Sequence, residues 1–362
     1  MLGIETSCDE TAAAVVAETA DGLWEIRSSI VASQVAIHSE WGGVVPELAS
    51  RQHLRDICGV VNGALDAAGA GWGDLGAIAV TQGPGLIGSL LVGVSFAKSV
   101  ALALSLPLVA VHHLAGHIES LFLQHGPLPL PAVVLVVSGG HTSLYLVREP
   151  GSYRRIGRTR DDAAGEAYDK VARLLGLGYP GGPVIDRLAR GGRDTAIEFP
   201  VARMTHVDRN APLLKGDLDF SFSGLKTSVL RYVRQRVRTE PARGEASRLS
   251  SAVASGELSA SEIADICASF QRVVVEGLLE RTFEAAVRYQ ASSVGIAGGV
   301  SANSRLREEA VARGGRAGIP VFMPSLALAT DNAAMIAAAG LRRLRAGLTA
   351  GWDLNADASL EL

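Results

Sequence analysis

Cysteine is scarce: Cys8, Cys58 and Cys267 are the three in 362 residues, far apart and without C-x-x-C spacing. That pattern excludes a disulfide framework or a thiolate zinc site and suits a reducing, cytoplasmic setting. Lysine is scarcer than arginine, for of 34 basic residues only Lys98, Lys170, Lys215 and Lys226 are lysine, a bias we read as genomic in origin. Charge of one sign is also missing. With a formal net charge of −3 and 20% charged residues there is no global basic field of the kind that marks a dedicated nucleic-acid binder, so any RNA contact must come from local patches. The chain opens on Leu2-Gly3-Ile4-Glu5 without a basic leader, and the apolar stretch from about Val100 to Val111 is broken by Pro107. The expectation is a protein neither exported nor membrane-spanning.

What is plentiful is apolar residues, at 48%, and glycine, at 41 residues. The length suffices for two domains of ordinary size, each with its own core. Leu2-Gly3-Ile4, the polar turn Glu5 to Thr11 and the apolar run Ala12 to Ala17 predict a hairpin with a tip rich in hydroxyls and carboxylates. The same grammar returns where Ala132 to Val137 leads into Ser138-Gly139-Gly140-His141-Thr142 and then Ser143 to Val147. A third turn differs, since Ser293 to Ala297 runs into Gly298-Gly299-Val300-Ser301-Ala302-Asn303 and a helical stretch from Ser304 to Arg313. Strands mixed with helices predict an α/β protein, and the repeated hairpin predicts two related lobes. We expect a first lobe over 1–130 carrying the histidines and a second over 131–325 carrying the glycine turns. Residues 326–362 would supply a C-terminal helix returning to the first lobe. The boundary falls in Gly126-Pro127-Leu128-Pro129-Leu130-Pro131. Thr239 to Ser261 reads as a polar surface insertion. The last helical region, about Asp331 to Arg345, has Thr330 or Asp331 available as its cap.

His113-Leu114-Ala115-Gly116-His117 sets two imidazoles at i and i+4 on one helix face, within reach of one cation. Two polar residues near a helix end are the plain alternative. Leu114 stands where a zinc protease of the H-E-x-x-H type has its general base, and Glu119 is not an equivalent. A third ligand is available in Asp331, although an aspartate in a first helical turn is often only a cap. Two histidines and one carboxylate suit iron or zinc and leave positions open for a substrate oxygen. The turns Val137 to His141 and Gly298 to Asn303 can offer backbone N–H groups to anions, or be tight turns and nothing more. Asp169 and Asp186 lie near glycine turns, either as ligands for polar substrate groups or as solvated helix residues. Leu225, Val229, Val233 and Val237 recur every four residues with Arg231, Arg234 and Arg238 on another face, a core-facing helix that could also meet RNA phosphate.

Many blocks, in order, resemble the universal tRNA threonylcarbamoyladenosine synthase family over nearly the whole chain. They include Leu2 to Thr11, Gly42 to Arg51, Thr81 to Leu86, His112 to His117, Ser138 to Thr142, Asp161 to Lys170, Phe220 to Thr227, Gly298 to Asn303 and Asp331-Asn332. The resemblance implies two ribonuclease-H-like lobes of the actin, Hsp70 and sugar-kinase type around a nucleotide cleft. It implies one divalent metal, Fe(II) or alternatively Zn(II), on His113, His117 and Asp331. It places the substrate on Val137, Ser138, Gly139, Gly140, His141, Asp169, Gly182, Asp186 and Asn303. The implied reaction carries a threonylcarbamoyl group from L-threonylcarbamoyl-AMP to N6 of the adenosine 3′-adjacent to the anticodon, in tRNAs reading codons that begin with A. Implied partners are the tRNA anticodon loop, an inactive paralogue and a small ATPase. Trp41 where tyrosine is common, Ala115 where glutamate often sits and the long 239–261 stretch are departures. A kinase or chaperone-like ATPase, a metallopeptidase and a non-catalytic scaffold are the competing readings.

Overall fold

The computed structural model describes residues 1–204, 216–237 and 257–362. Most of the segment read as an insertion, and Arg238 before it, lie outside those residues. The chain forms two compact units, residues 1–128 with 147–153 and 324–362, and residues 129–146 with 154–323.

The first unit begins with three strands, β1 (Leu2–Glu5), β2 (Glu10–Glu18) and β3 (Trp24–Ser33). β1 and β2 pair antiparallel with Glu5 opposite Ala12, so the predicted hairpin forms and the turn between them carries Thr6 to Asp9. A short α1 (Val35–Ser39) leads to α2 (Pro46–Ala68), which starts with proline in its first turn and ends on Gly69 at φ 62°. Proline lacks an N–H that no residue in a first turn can pair, and glycine tolerates the left-handed stop, so both ends are written in the sequence. β4 (Ile78–Gly83), α3 (Ile87–Leu104), β5 (Leu108–His112) and α4 (His113–His125) follow. β4 pairs parallel with both β1 and β5, giving the order β3-β2-β1-β4-β5.

Helix α3 was not marked out in the sequence, yet at 18 residues and mean hydropathy 1.9 it is long and apolar enough to cross a membrane by length and composition. Its Leu90, Gly93, Val94, Ala97 and Ala101 are buried, and Val94, Ala97 and Ala101 join the core formed with α2 and β4.

The second unit repeats the strand pattern. β6 (Ala132–Val137), β7 (Thr142–Glu149) and β8 (Ser152–Arg158) lie in the order β10-β9-β6-β7-β8 with β9 (Ser293–Ala297) and β10 (Val321–Phe322). β9 pairs parallel with β6 and with β10. Counted from the first strand of each hairpin, both sheets run 3-2-1-4-5, so the architecture is mixed α/β with two ribonuclease-H-like sheets. The helices here are α5 (Ala164–Leu174), α6 (Gly181–Ala189), α7 (Ser223–Val237), α8 (Ala260–Arg288) and α9 (Ser304–Ala317). α7 buries Leu225, Val229, Val233 and Val237, the four-residue stripe of the sequence. The end of the expected insertion is not a loop, because Leu258 is buried and Ser259 caps α8 through a reciprocal bond with Glu262.

Returning to the first unit, α10 (Leu326–Ala329) and α11 (Ala333–Arg345) complete it. Ala333 to Leu341 of α11 are all buried, and the helix packs on β1, β2, β4, β5 and α4. Small residues permit this: a Cβ on Gly3 of β1 would stand 2.3 Å from the Ala333 carbonyl oxygen, and one on Gly340 2.4 Å from the Ala79 Cβ.

Candidate metal centre

Parallel strands β1 and β4 and the end of β5 bring Glu5, Thr81 and His113 side by side in the first unit. His113 is the first residue of α4 and His117 lies one turn later, so both imidazoles leave the same face. Asp331 stands just before α11. The expected cap is a correction: Asn332, not Thr330 or Asp331, accepts the Met335 N–H at 3.0 Å and donates to the Thr330 carbonyl at 2.8 Å. With the helix end satisfied by its neighbour, the Asp331 carboxylate turns to the histidines. Its Oδ1 lies 3.2 Å from His117 Nε2 and 3.6 Å from His113 Nε2.

The donor set fits a divalent cation. Ligand atoms of His113, His117 and Asp331 all lie within 4.8 Å of one another. Nitrogen and oxygen ligands about 2.0–2.1 Å from an ion stand about 3.0–3.4 Å apart at octahedral to tetrahedral angles, close to the two spacings to Asp331. His117 is fully buried, and neither of its ring nitrogens makes a hydrogen bond among the described residues. An orphaned buried imidazole is costly unless something outside the protein completes it. Asp331 keeps 21% of its side chain exposed, so the donor set is open on that side.

Electrostatics point the same way. Burial works against charge on His113, but Asp331 and then Glu5 outweigh it and raise its pKa to about 9. Burial pushes Glu5 up, and the charge and hydrogen bond of His113 reverse that and hold it below the usual carboxylate range. Glu10, beside them, is raised to about 10 by burial first and then by Asp331 and Asp9. So many carboxylates around two imidazoles are an unfavourable arrangement without positive charge.

Glu119 takes no part. It is fully buried, paired with Arg342 Nε at 2.7 Å and accepting a hydrogen bond from the Tyr153 hydroxyl. The sequence reading missed the C-terminal segment, whose Leu360 carbonyl accepts from His112 Nε2 at 3.0 Å while His112 Nδ1 accepts the Leu114 N–H. Nothing in the spacing of residues 350–362 signals this contact with the start of α4.

The remaining sequence-predicted residues lie in the second unit. Ser138 closes its turn by donating its N–H to the His141 carbonyl at 2.8 Å, and Gly139 and Gly140 are exposed with open space where a side chain would stand. Gly298, at φ 94°, lies against Val137, where a Cβ would be 2.5 Å from the carbonyl oxygen. Asp169 Oδ1 accepts the Gly181 N–H at 2.8 Å, next to Gly182 at the start of α6. Asp186 and Asn303 come together: Gln271 donates to Asp186 at 3.2 Å and accepts from Asn303 at 2.8 Å, and Ser304 Oγ donates to Asp186 at 2.8 Å. Gln271 is a member of this network that no motif indicated. Asn303 also caps α9 through the Leu306 N–H.

The model of the tRNA N6-adenosine threonylcarbamoyltransferase family matches residues 25–338, which include both histidines and Asp331. A relative of that description in Koribacter versatilis (strain Ellin345) is 49% identical over 379 residues, covering 100% of this chain and 98% of its own. Another in Anaeromyxobacter dehalogenans (strain 2CP-C) is 51% identical over 365 residues, covering 100% and 99%. Among solved structures, (R)-2-hydroxyglutaryl-CoA dehydratase component A of Acidaminococcus fermentans has a TM-score of 0.48 at 13% identity, covering 94% of this chain and 96% of that one. Motif order, the converging donor set and full-length identity near one half agree, and the chain belongs to the tRNA N6-adenosine threonylcarbamoyltransferase family of enzymes.

Proposed function

We propose that the protein transfers the threonylcarbamoyl group of L-threonylcarbamoyl-AMP to N6 of the adenosine 3′-adjacent to the anticodon, in tRNAs reading codons that begin with A. The observation that carries this reading is the buried donor set of His113, His117 and Asp331 within a chain of this family. In the reaction N6 attacks the carbamoyl carbonyl carbon, a new C–N bond forms, the C–O bond to phosphate breaks and AMP leaves with the electron pair. The N6 proton leaves with it, and the departing phosphate is one acceptor. A divalent ion held by the donor set, Fe(II) in this reading and Zn(II) as the alternative, supplies Lewis acidity when bound.

The rest falls to side chains and backbone. Open Gly139 and Gly140 allow close approach of an anion to the Val137 to His141 turn, which supports a role in holding the AMP phosphate. Asp169 with Gly182, and the Asp186 and Asn303 network, present polar groups suited to ribose and threonine hydroxyls. The target base lies in a single-stranded anticodon loop, so it can be presented without opening a duplex. In this reading the protein is cytoplasmic and acts with an inactive paralogue and a small ATPase.

Mass spectrometry of tRNA nucleosides tests it, after incubation with threonine, bicarbonate, ATP, an adenylate-forming synthase and the partner proteins. Wild type should yield the threonylcarbamoylated adenosine, and Asp331→Ala should reduce its rate by at least about a hundredfold, the size of several kcal/mol of lost charge stabilisation. Equal yields from both proteins would remove the donor set from the reaction.

A further inference from the structure

Glu5 sits at the end of β1 with 1% of its surface exposed, and three hydrogen-bonding groups converge on its carboxylate. Its Oε1 accepts the Ser7 N–H at 2.5 Å. Its Oε2 accepts the Thr81 hydroxyl at 2.7 Å and lies 3.0 Å from His113 Nδ1. The register explains the meeting: Ile4 pairs with Val80, so Glu5 and Thr81 come next on adjacent parallel strands, and Thr81 pairs with Val111 just before His113. An ionised carboxylate can only accept, so the proton of this contact is on His113 Nδ1. The ring's other nitrogen, Nε2, is then the one directed at Asp331, 3.6 Å away, and the one left to take an ion once its own proton is gone. His117 has no such anchor, for its Nδ1 is without a hydrogen bond among the described residues.

We infer that Glu5 is a positioning residue for the metal centre, fixing the tautomer and rotation of His113 so that Nε2 is the ligand atom, with Thr81 holding Glu5 in turn. The two histidines are therefore unequal at Nδ1, one braced there by a carboxylate from the central strand and the other without a hydrogen bond there among the described residues. Partners of this kind commonly account for 10–100-fold in metal affinity. Glu5→Gln keeps the shape but places an NH2 group among donors, so at least one of the three hydrogen bonds must break or reverse direction.

The inference rests on the metal reading above, and Co(II) binding measured by chelator competition separates the two. Wild type should bind one Co(II) per chain, and Glu5→Gln should bind it about 10–100-fold more weakly, with an altered Co(II) visible spectrum. A wild type that binds no Co(II) overturns both the metal reading and the role of Glu5. Wild-type binding matched within twofold by Glu5→Gln overturns the role of Glu5 alone, even if the chelated variant melts lower, because that pattern is purely structural. Should Glu5→Gln fail to fold, 15N NMR of histidine-labelled, Zn(II)-loaded wild type decides. Protonated Nδ1 with metal-bound Nε2 on His113 supports the assignment, and the opposite tautomer overturns it.

Discussion

Asp331 and Asn332 are neighbours with separate tasks, one turned to the histidines and the other closing the helix behind it. Asn332 is fully buried, and both ends of its amide are committed to backbone. Truncation to alanine leaves the Met335 N–H and the Thr330 carbonyl without partners, at a cost of about 1–2 kcal/mol. We expect Asn332→Ala to lower the urea midpoint of the chelated protein while still binding metal. Asp331→Ala should lose the metal, with little change in the chelated midpoint near pH 9, where the His113 proton that Asp331 favours no longer adds stability. Urea titrations paired with metal stoichiometry check this, and equal metal loss in both variants would show that cap and ligand cannot be separated. The sequence offered Thr330 or Asp331 for the cap and passed over Asn332. Local pattern could not exclude Asp331, because aspartate and asparagine cap equally well and the histidines that claim Asp331 are more than two hundred positions away.

The distance from Asp331 to those histidines is set by how α11 lies on the sheet, and Gly3 limits that approach. A Cβ at Gly3 would stand 2.3 Å from the Ala333 carbonyl oxygen and 2.8 Å from the Ala337 nitrogen, both backbone atoms that cannot turn aside. Gly3→Ala must lift the helix, and overpacking of this kind costs about 1–3 kcal/mol. Because the lifted helix begins two residues after Asp331, Co(II) affinity should fall together with the urea midpoint. An unchanged affinity would place the anchoring of Asp331 elsewhere. This also marks how far local pattern reaches. The hairpins at β1–β2 and β6–β7 and the β9–α9 unit were legible because a buried strand followed by a glycine turn is a local signal. Helix α3 was passed over because its buried face is made of glycine, alanine and serine as much as of large apolar residues. In the Asp186–Gln271–Asn303 network Gln271 alone went unmarked, because it is a single polar residue inside the long helix α8 with no turn or motif beside it.

Proton and metal compete for one histidine, and that competition reaches the stability of the unit holding it. In the chelated protein Asp331 and Glu5 raise His113 from 6.5 to about 9. A basic group raised on folding adds stability that is complete below its unfolded pKa, about 6.5, and is lost as pH climbs through about 9. Glu10 adds a slope of the same sign, since an acid raised to about 10 is held neutral by the fold and favours unfolding increasingly above about 4.5. Bound metal inverts the dependence at His113, because the ion takes the nitrogen only after the proton leaves, so apparent affinity rises with pH up to about 9. The melting temperature of the chelated protein should therefore fall between pH 6.5 and 9, while the gap between Zn(II)-loaded and chelated protein widens. All of these groups lie in residues 1–128 and 324–362, so the response originates in the first unit, as a ligand stabilises only what binds it. Calorimetry in chelator and in Zn(II) across that range measures both slopes, with His113→Ala as the reference. That variant should show a shallower fall, with the Glu10 part retained, and lose the widening gap. A wild type whose chelated melt matches that of His113→Ala at every pH would mean that the proton on this ring does not contribute to folding.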